Sequence, residues 1–448
     1  MTAPAVEGRA RTCATRARAW VLLLAAGFAL LQFASVTGRA TPDTKNYLSY
    51  ALSLGGAGIR ESAAGTIDHY CESRAHTAAR NQSVDVLRFH GPSPAGKVAR
   101  ECRRELGRTV DRRLAAGQTG GHIAPFASQR FQRIFETRPG YPVLLTPFVA
   151  VFGVTWGVWL ASVLIAAAGG VLAFLVLRAV HAPVPVALTG QVLFHVLPCG
   201  TTAMRPMTEG LLLALTLAAL WGCALAQEGR VRAGTLLTGG SLLALFTVKH
   251  SQALFLGACL AGACAVVGLR RVRREGPGGP DGGPGRGGRT VLGRVERWVR
   301  AVGAVSAGAV VGTPALAWLL HYPTSSESLQ DLLTAHFTRP DRERPWPEFL
   351  HLEFNFWVEW VRRQLTQPLF PAVLGAGAWG ALRQRPVFGW FVLAGAATGF
   401  LNQAGHPDIG IWGDRLIVVA WLLPVLGLPL LLERITAPRT SLDVVTTG

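Results

Sequence analysis

Apolar runs recur from one end of the chain to the other, and no other feature constrains the fold as tightly. A run of about 20 apolar residues crosses a ~30 Å hydrocarbon core as a helix. Ten runs approach that length: 20–36, 154–177, 184–199, 211–227, 233–248, 252–269, 301–320, 366–382, 386–401 and 416–432. The run at 366–382 is the least regular, with Pro368, Pro371 and several glycines. Half of the 448 residues are apolar and only 16% are charged, which argues against two or three soluble domains. The chain reads as an all-α polytopic membrane protein with about ten transmembrane helices and a large first extracytoplasmic loop carrying amphipathic juxtamembrane helices. The setting expected for it is a bacterial plasma membrane.

Charge gives the orientation. The formal net charge is +18, a value that also suits a nucleic-acid binder. Here, however, many basic residues sit in short segments between apolar runs, the pattern of cytoplasmic loops, so no nucleic-acid partner is expected. Residues 1–19 carry Arg9, Arg11, Arg16 and Arg18 against Glu7 alone. The run that follows is read as an uncleaved first helix within 20–37, with a signal peptide cleaved near Gly38-Arg39-Ala40 as the alternative; either places the next loop outside. Arg178, Arg230, Arg232, Arg383, Arg385 and Arg434 then fall in inner turns. The inner segment 270–300 holds nine arginines and three acids, with a Gly/Pro-rich middle expected to be a flexible linker. Residues 433–448 form a cytoplasmic tail.

The extracytoplasmic loop spans 38–153. Ser93-Pro94 reads as an N-cap with proline at the first helical position. Val98, Cys102, Leu106, Val110 and Leu114 then recur every four residues among charges, an amphipathic helix. Phe126, Phe131, Ile134 and Phe135 suggest a second, shorter one. The apolar segment 138–153 is too short to span and is read as juxtamembrane. Spans two to six occupy 154–269, and spans seven to ten occupy 301–432 with an outer loop at 321–365. No cysteine motif has metal spacing; Cys71 and Cys102 share the oxidising side, where a disulfide can persist.

This topology gathers polar residues at the outer ends of the spans: Asp43, Lys45, Glu136, Arg138, Arg205, Glu209, Lys249, His250, His321, His406, Asp408, Asp414 and Arg415. Ionisable groups at membrane depth are costly, and they usually face a cavity and carry function; the plain alternative is an interfacial residue in water. Asp43, after Thr41-Pro42, is either a helix cap or a general base. Glu209 opens a span, where a carboxylate also favours the helix dipole. Arg205, Lys249, His250 and Arg415 suit a phosphate. Asp43 with Glu136 or Glu209 could share a divalent cation.

In this order the chain resembles the GT-C membrane glycosyltransferases, and within them the protein mannosyltransferase and aminoarabinose transferase-like group, family 39-like. Asp43 in DTKNY is similar to the acidic residue opening their first outer loop. RPGYPVLL at 138–145 resembles the juxtamembrane motif, MTEGLLLAL at 207–215 the acidic motif of a middle helix, and GDRL at 413–416 a late-loop Asp/Arg motif. The resemblance implies inverting transfer of a sugar from a polyprenyl-phosphate donor to an extracytoplasmic glycan, lipid or protein acceptor. Asp43 would act as base, with Lys45, Glu136, Arg138, Arg205, Glu209, Lys249, His250, Asp414 and Arg415 around the substrates. A transporter or flippase for a lipid-linked saccharide is the alternative; it would favour internal repeats and polar groups at the bilayer midplane, and no repeat is visible here. The arginine distribution makes the topology testable. A reporter fused within 275–290 is expected in the cytoplasm, and one fused near 325 or 408 outside; the reverse pattern would overturn the orientation.

Overall fold

The structure, a computed structural model, describes residues 4–274, 286–411, 413 and 415–436. Every regular element among them is helical. α1 (Pro4–Gln32) lies on the flank of the bundle. Leu22, Leu23, Leu30 and Leu31 on it are mostly exposed, as expected for side chains that lipid covers. It is tied inward by Gln191 Nε2 donating to Val21 O at 3.0 Å and by Phe28 stacked on the His195 ring at 4.2 Å.

The first loop folds as four helices: α2 (Thr44–Leu54), α3 (Ile59–Ser83), α4 (Ala95–Ala115) and α5 (Gln129–Glu136). The last two match the amphipathic segments read from sequence. Their caps differ slightly from expectation: α4 begins after Pro94, and Ser93 only accepts from Ala95 N at 3.4 Å. α2 and α3 carry no clear apolar period and were not anticipated. Cys71 on α3 and Cys102 on α4 form a disulfide with Cα atoms 5.5 Å apart, and around it Ala63, Ile67 and Val110 make a small separate core.

α6 (Gly140–Ala179) is broken at Gly153. Its φ of 72° and ψ of 171° belong to a region that only glycine enters readily. The arm before the break is about 20 Å long at 1.5 Å per residue, too short to span, in keeping with the juxtamembrane reading of 138–153. α7 (Val184–Val196), α8 (Pro198–Ala203) and α9 (Thr208–Gln227) follow.

α10 (Val231–Arg274) contains one non-helical residue, Lys249, at φ −163° and ψ 98°. The chain reverses there. Gly239 abuts Val305 while Cys264 abuts Gly303, two neighbouring points on α11 (Arg286–Leu319). An unbroken helix would hold residues 239 and 264 about 37 Å apart. The two apolar runs at 233–248 and 252–269 are therefore antiparallel arms of one helical hairpin. The polar Lys249-His250 pair sits at its tip, where neither arm has to bury it in hydrocarbon.

α12 (Ser325–Leu333) and α13 (Pro345–Thr366) fill the segment between α11 and the next helix of the bundle. On α13, Trp346, Leu350, Phe354, Val358, Val361 and Leu365 recur every three or four residues and remain exposed, a stripe for an apolar surrounding. α14 (Leu369–Gln384), α15 (Pro386–Ala404) and α16 (Leu422–Thr436) complete the bundle. α14 and α16 cross at Gly377 and Gly427, where a single methyl on either would meet the other's backbone.

Seven helical segments among the described residues are long and apolar enough to cross a membrane: Thr15–Ser35, Gly140–Ala179, Thr208–Gln227, Val231–Arg271, Arg297–Leu319, Pro386–Ala404 and Leu416–Glu433. The expected ten differ from these for three reasons. Two runs share α10, and the runs at 184–199 and 366–382 form helices of only 13 and 16 residues. Of the Gly/Pro-rich middle of 270–300 expected to be flexible, residues 275–285 lie outside the described residues, as does the tail from 437, while 286–289 are the start of α11.

Polar contacts group the turns by end. Arg178 Nη1 donates to Ala182 O at 2.5 Å, and His181 pairs with Glu228 at 2.5 Å. Arg385 donates to Val180 O at 2.8 Å and pairs with Glu433 at 3.1 Å. These arginine-bearing turns form one end of the bundle, and α2–α5 and α12 cap the other. The disulfide closes a loop of 31 residues in the cap, which in the loop-entropy account is worth about 3–4 kcal/mol. Free-thiol labelling of the folded, unreduced protein should therefore miss Cys71 and Cys102. Reduction should loosen α3 and α4 before the bundle, as read by hydrogen exchange.

Candidate functional site

Asp43 occupies the N-cap position of α2 but does not cap it: its side chain makes no cap hydrogen bond. Thr44 Oγ1 instead reaches back and accepts from Thr41 N at 2.8 Å, tightening the turn that precedes the helix. The same Oγ1 donates to Pro206 O at 3.2 Å and so fixes the start of α2 beside the turn that leads into α9. The approach to Asp43 is strapped to α3, because Ala40 N donates to Ser73 Oγ at 3.0 Å and Arg80 donates to Gly38 O at 3.1 Å. With its backbone held this way, the carboxylate is free to face the bundle.

There it meets Arg415. One edge of the guanidinium, Nη2, pairs with Asp43 Oδ2. Another, Nε, donates to Glu209 Oε1 at 2.7 Å. Glu209 lies in the first turn of α9 and is only 3% exposed; its second oxygen accepts from Thr208 Oγ1 at 3.2 Å. The two carboxylates hold the Arg415 guanidinium even more firmly protonated than usual, Glu209 contributing most, against the opposing effect of burial. The planar fork of arginine is what lets one cation serve two carboxylates from separate atoms.

The cluster has a second layer. Lys249, at the tip of the α10 hairpin, lies within electrostatic reach of Glu209, Arg138, Arg415 and Asp43. Arg138, just before α6, stands over the Phe135 ring at 5.8 Å, and its buried Nε has no hydrogen-bond partner among the described residues. Three cations thus surround two carboxylates. His250 follows, 5.6 Å from the Tyr322 ring, with its Nδ1 buried and unpartnered among the described residues. His406, pushed down to about 4 by burial with Arg415 and Lys249 adding to the effect, is neutral at neutral pH. An anion approaching the mouth of this cluster would find cations from three elements, while Asp43 keeps its Oδ1 without a donor among the described residues.

Other residues singled out from sequence are placed elsewhere. Glu136 Oε1 accepts from the backbone N–H of His122 at 3.1 Å and serves the loop before α5; in a divalent-ion pairing with Asp43 it would have to leave that bond. Glu209, the other partner considered, is engaged by Arg415. Among the described residues no three His, Cys, Asp or Glu side chains converge as metal ligands would. Lys45 stays within electrostatic reach of Asp43, but its ammonium stands 5.1 Å from the Tyr70 ring and is lowered below the usual lysine value by burial. Asp408 Oδ1 accepts from Gly410 N in its own turn at 2.8 Å, and His321 is exposed. Arg205 lies in the turn between α8 and α9. Asp414 lies outside the described residues.

Sequence reasoning missed several participants. Tyr47 on α2 is buried, edge-on to Phe135 and Tyr141 at 5.3 and 5.5 Å, and lies within electrostatic reach of Arg138, Asp43 and Glu209. Beneath the ion cluster, Gln252 Nε2 donates to Thr398 Oγ1 at 3.0 Å and to Thr216 Oγ1 at 3.4 Å, and its Oε1 accepts from Asn402 Nδ2. Gln252 and Asn402 were visible as polar interruptions of apolar runs; which residues they join was not. Above the cluster, the segment around α12 is clasped to α5. Arg130 pairs with Glu327 at 3.2 Å and Asp341 at 2.8 Å, and His336 meets the Phe131 ring at 4.5 Å.

Removing one member of a buried ion pair costs more than the pair contributes, because the survivor stays desolvated. Arg415→Met should lower stability by about 3–5 kcal/mol, measured as denaturant unfolding in detergent. Adding Glu209→Gln and Asp43→Asn to Arg415→Met should restore much of that loss. An Arg415→Met protein as stable as the parent would mean that the cluster is solvated.

No family model, no curated protein and no solved structure matches this chain.

Proposed function

We propose that this chain is a membrane glycosyltransferase that moves a sugar from a polyprenyl-phosphate donor to an acceptor hydroxyl at the cap end of the bundle, taken as extracytoplasmic. The observation that carries the reading is the placement of Asp43. A carboxylate at a helix-cap position is turned away from capping and held by Arg415 at the foot of a cation cluster. The apolar helices that surround it suit a donor carried in the bilayer.

In this reading the acceptor oxygen attacks the anomeric carbon and a new C–O bond forms on the face opposite the departing group. The bond from that carbon to the phosphate oxygen breaks, and its electron pair leaves with the phosphate. The acceptor proton passes to Asp43 Oδ1, with Arg415 fixing the other oxygen. Lys249 and Arg138 meet the negative charge that grows on the phosphate, the kind of prearranged electrostatic aid that lowers a barrier most. Attack from the opposite face inverts the anomeric configuration.

The competing reading is transport of a lipid-linked saccharide. Transport sites favour broken helices near the bilayer midplane. The break at Lys249 is a hairpin tip at the cap end, and its charged neighbours lie at that end as well. This placement favours chemistry at a surface over passage through the middle.

Asp43→Asn removes the proton acceptor while preserving shape. Transfer from a polyprenyl-phosphate sugar by the purified variant should fall about 10²–10⁴-fold, with the protein still folded. Glu136→Gln should cost far less, given its loop contact. Transfer near the parental rate in Asp43→Asn would discard the assignment.

A further inference from the structure

The arginine-rich end of the bundle, opposite the ion cluster, carries a cavity of about 440 Å³ and another of about 250 Å³, the larger lined by surface turn residues and Arg297 and the smaller set between two spans. The smaller differs in kind. It is lined by Val267, Arg270 and Arg271 from the end of α10 and by Pro386, Val387 and Trp390 from the start of α15. No carboxylate is among these residues. The Arg270 guanidinium stands 4.5 Å from the Trp390 ring. The Trp390 Nε1–H is buried without a hydrogen-bond partner among the described residues.

The cavity also receives the N-terminus of α15, a 19-residue helix with Pro386 in its first turn. The first N–H groups of a helix lack intrahelical acceptors, and that end carries partial positive charge. Two arginine side chains, the Trp390 ring and a helix N-terminus therefore border a space with apolar walls. The candidate spans Val231–Arg271 and Pro386–Ala404 both terminate at it, so it lies where a bilayer's headgroup layer would meet the protein. Beside it Leu269 is 54% exposed, an apolar surface along which an acyl chain can lie.

We infer that this cavity between α10 and α15 binds the phosphate headgroup of an anionic phospholipid, with the acyl chains packed along the α10 surface. Basic pockets between membrane helices recognise such headgroups because the positive field and the low-dielectric walls act on the same group. A free phosphate would use the same cations but none of the apolar wall, and that difference separates the two sources. The inference does not depend on the reaction at the opposite end.

The test uses the full chain purified in a neutral detergent and native mass spectrometry. The probes are phosphatidylglycerol, phosphatidylcholine and inorganic phosphate, each titrated alone. Retention of phosphatidylglycerol over phosphatidylcholine is expected. Arg270→Gln with Arg271→Gln should weaken it at least about 5-fold, given roughly a 5-fold effect for each basic side chain at an anionic surface. Trp390→Leu removes the aromatic wall and the ring on which Arg270 stands; it should weaken retention as well, and it reads the site if the double variant does not fold. Arg230→Gln with Arg232→Gln removes equal charge from the neighbouring turn and should leave retention unchanged. Equal retention of the two lipids would overturn the site. So would unchanged binding in the folded pocket variants, an equal loss in the turn variant, or inorganic phosphate binding as tightly as the lipid.

Discussion

Arg415 ties together parts of the chain that lie far apart in sequence. Its two carboxylate partners are 372 and 206 residues away. Through it, the start of α2, the start of α9 and the segment before α16 meet at one point. A buried cation of this kind is costly unless carboxylates and hydrogen bonds surround it. The fold supplies both, and in doing so it fixes where three helices begin. The same contacts leave Asp43 with one oxygen committed and one open. In this site, the group that stabilises the bundle is also the group that aims the candidate base.

Two breaks in long helices make that meeting possible. At Gly153 a positive φ lets the short arm of α6 turn aside, so that Tyr141 and Arg138 face Tyr47 and the cluster. At Lys249 the chain reverses, so that a lysine flanked by two apolar arms is delivered to the same end. The buried amide and hydroxyl contacts of Gln252, Thr398, Thr216 and Asn402 then lock α9, α10 and α15 just beneath it. Buried polar contacts of this type favour one helix arrangement over its alternatives, because a shifted register breaks them; Asn402 Oδ1 itself has no partner among the described residues. The cap adds its own constraint: the disulfide holds α3 to α4, and the Arg130 clasp joins α5 to the segment around α12 over the site.

Charge is divided between the ends in different ways. The arginine-rich end presents cations to its turns and to the cavity beside Trp390, whereas at the cap end cations and carboxylates are interleaved. The first arrangement suits attraction to an anionic surface, which acts over a Debye length. The second suits a reaction in which charge moves, since opposite charges already in place need little rearrangement.

The sequence by itself determined the environment and the ends. Apolar runs of helical length can be stable only where lipid or other helices cover them, so an all-helical membrane protein was legible without a structure. The arginines between runs separated one end from the other, and the polar residues left over included Asp43, Glu209, Lys249 and Arg415. The number of full-length spans was less legible, because an apolar run does not show how much of it stays helical; the 13-residue α7 and the 16-residue α14 are the cases. Which polar residues act together was decided by tertiary structure. Lys45 and Glu136 have the same chemistry as Lys249 and Glu209, and their sequence positions look equally suitable. They face Tyr70 and the His122 backbone because helix rotation and loop path set side-chain direction. Those are fixed by packing between segments hundreds of residues apart, which local pattern does not encode.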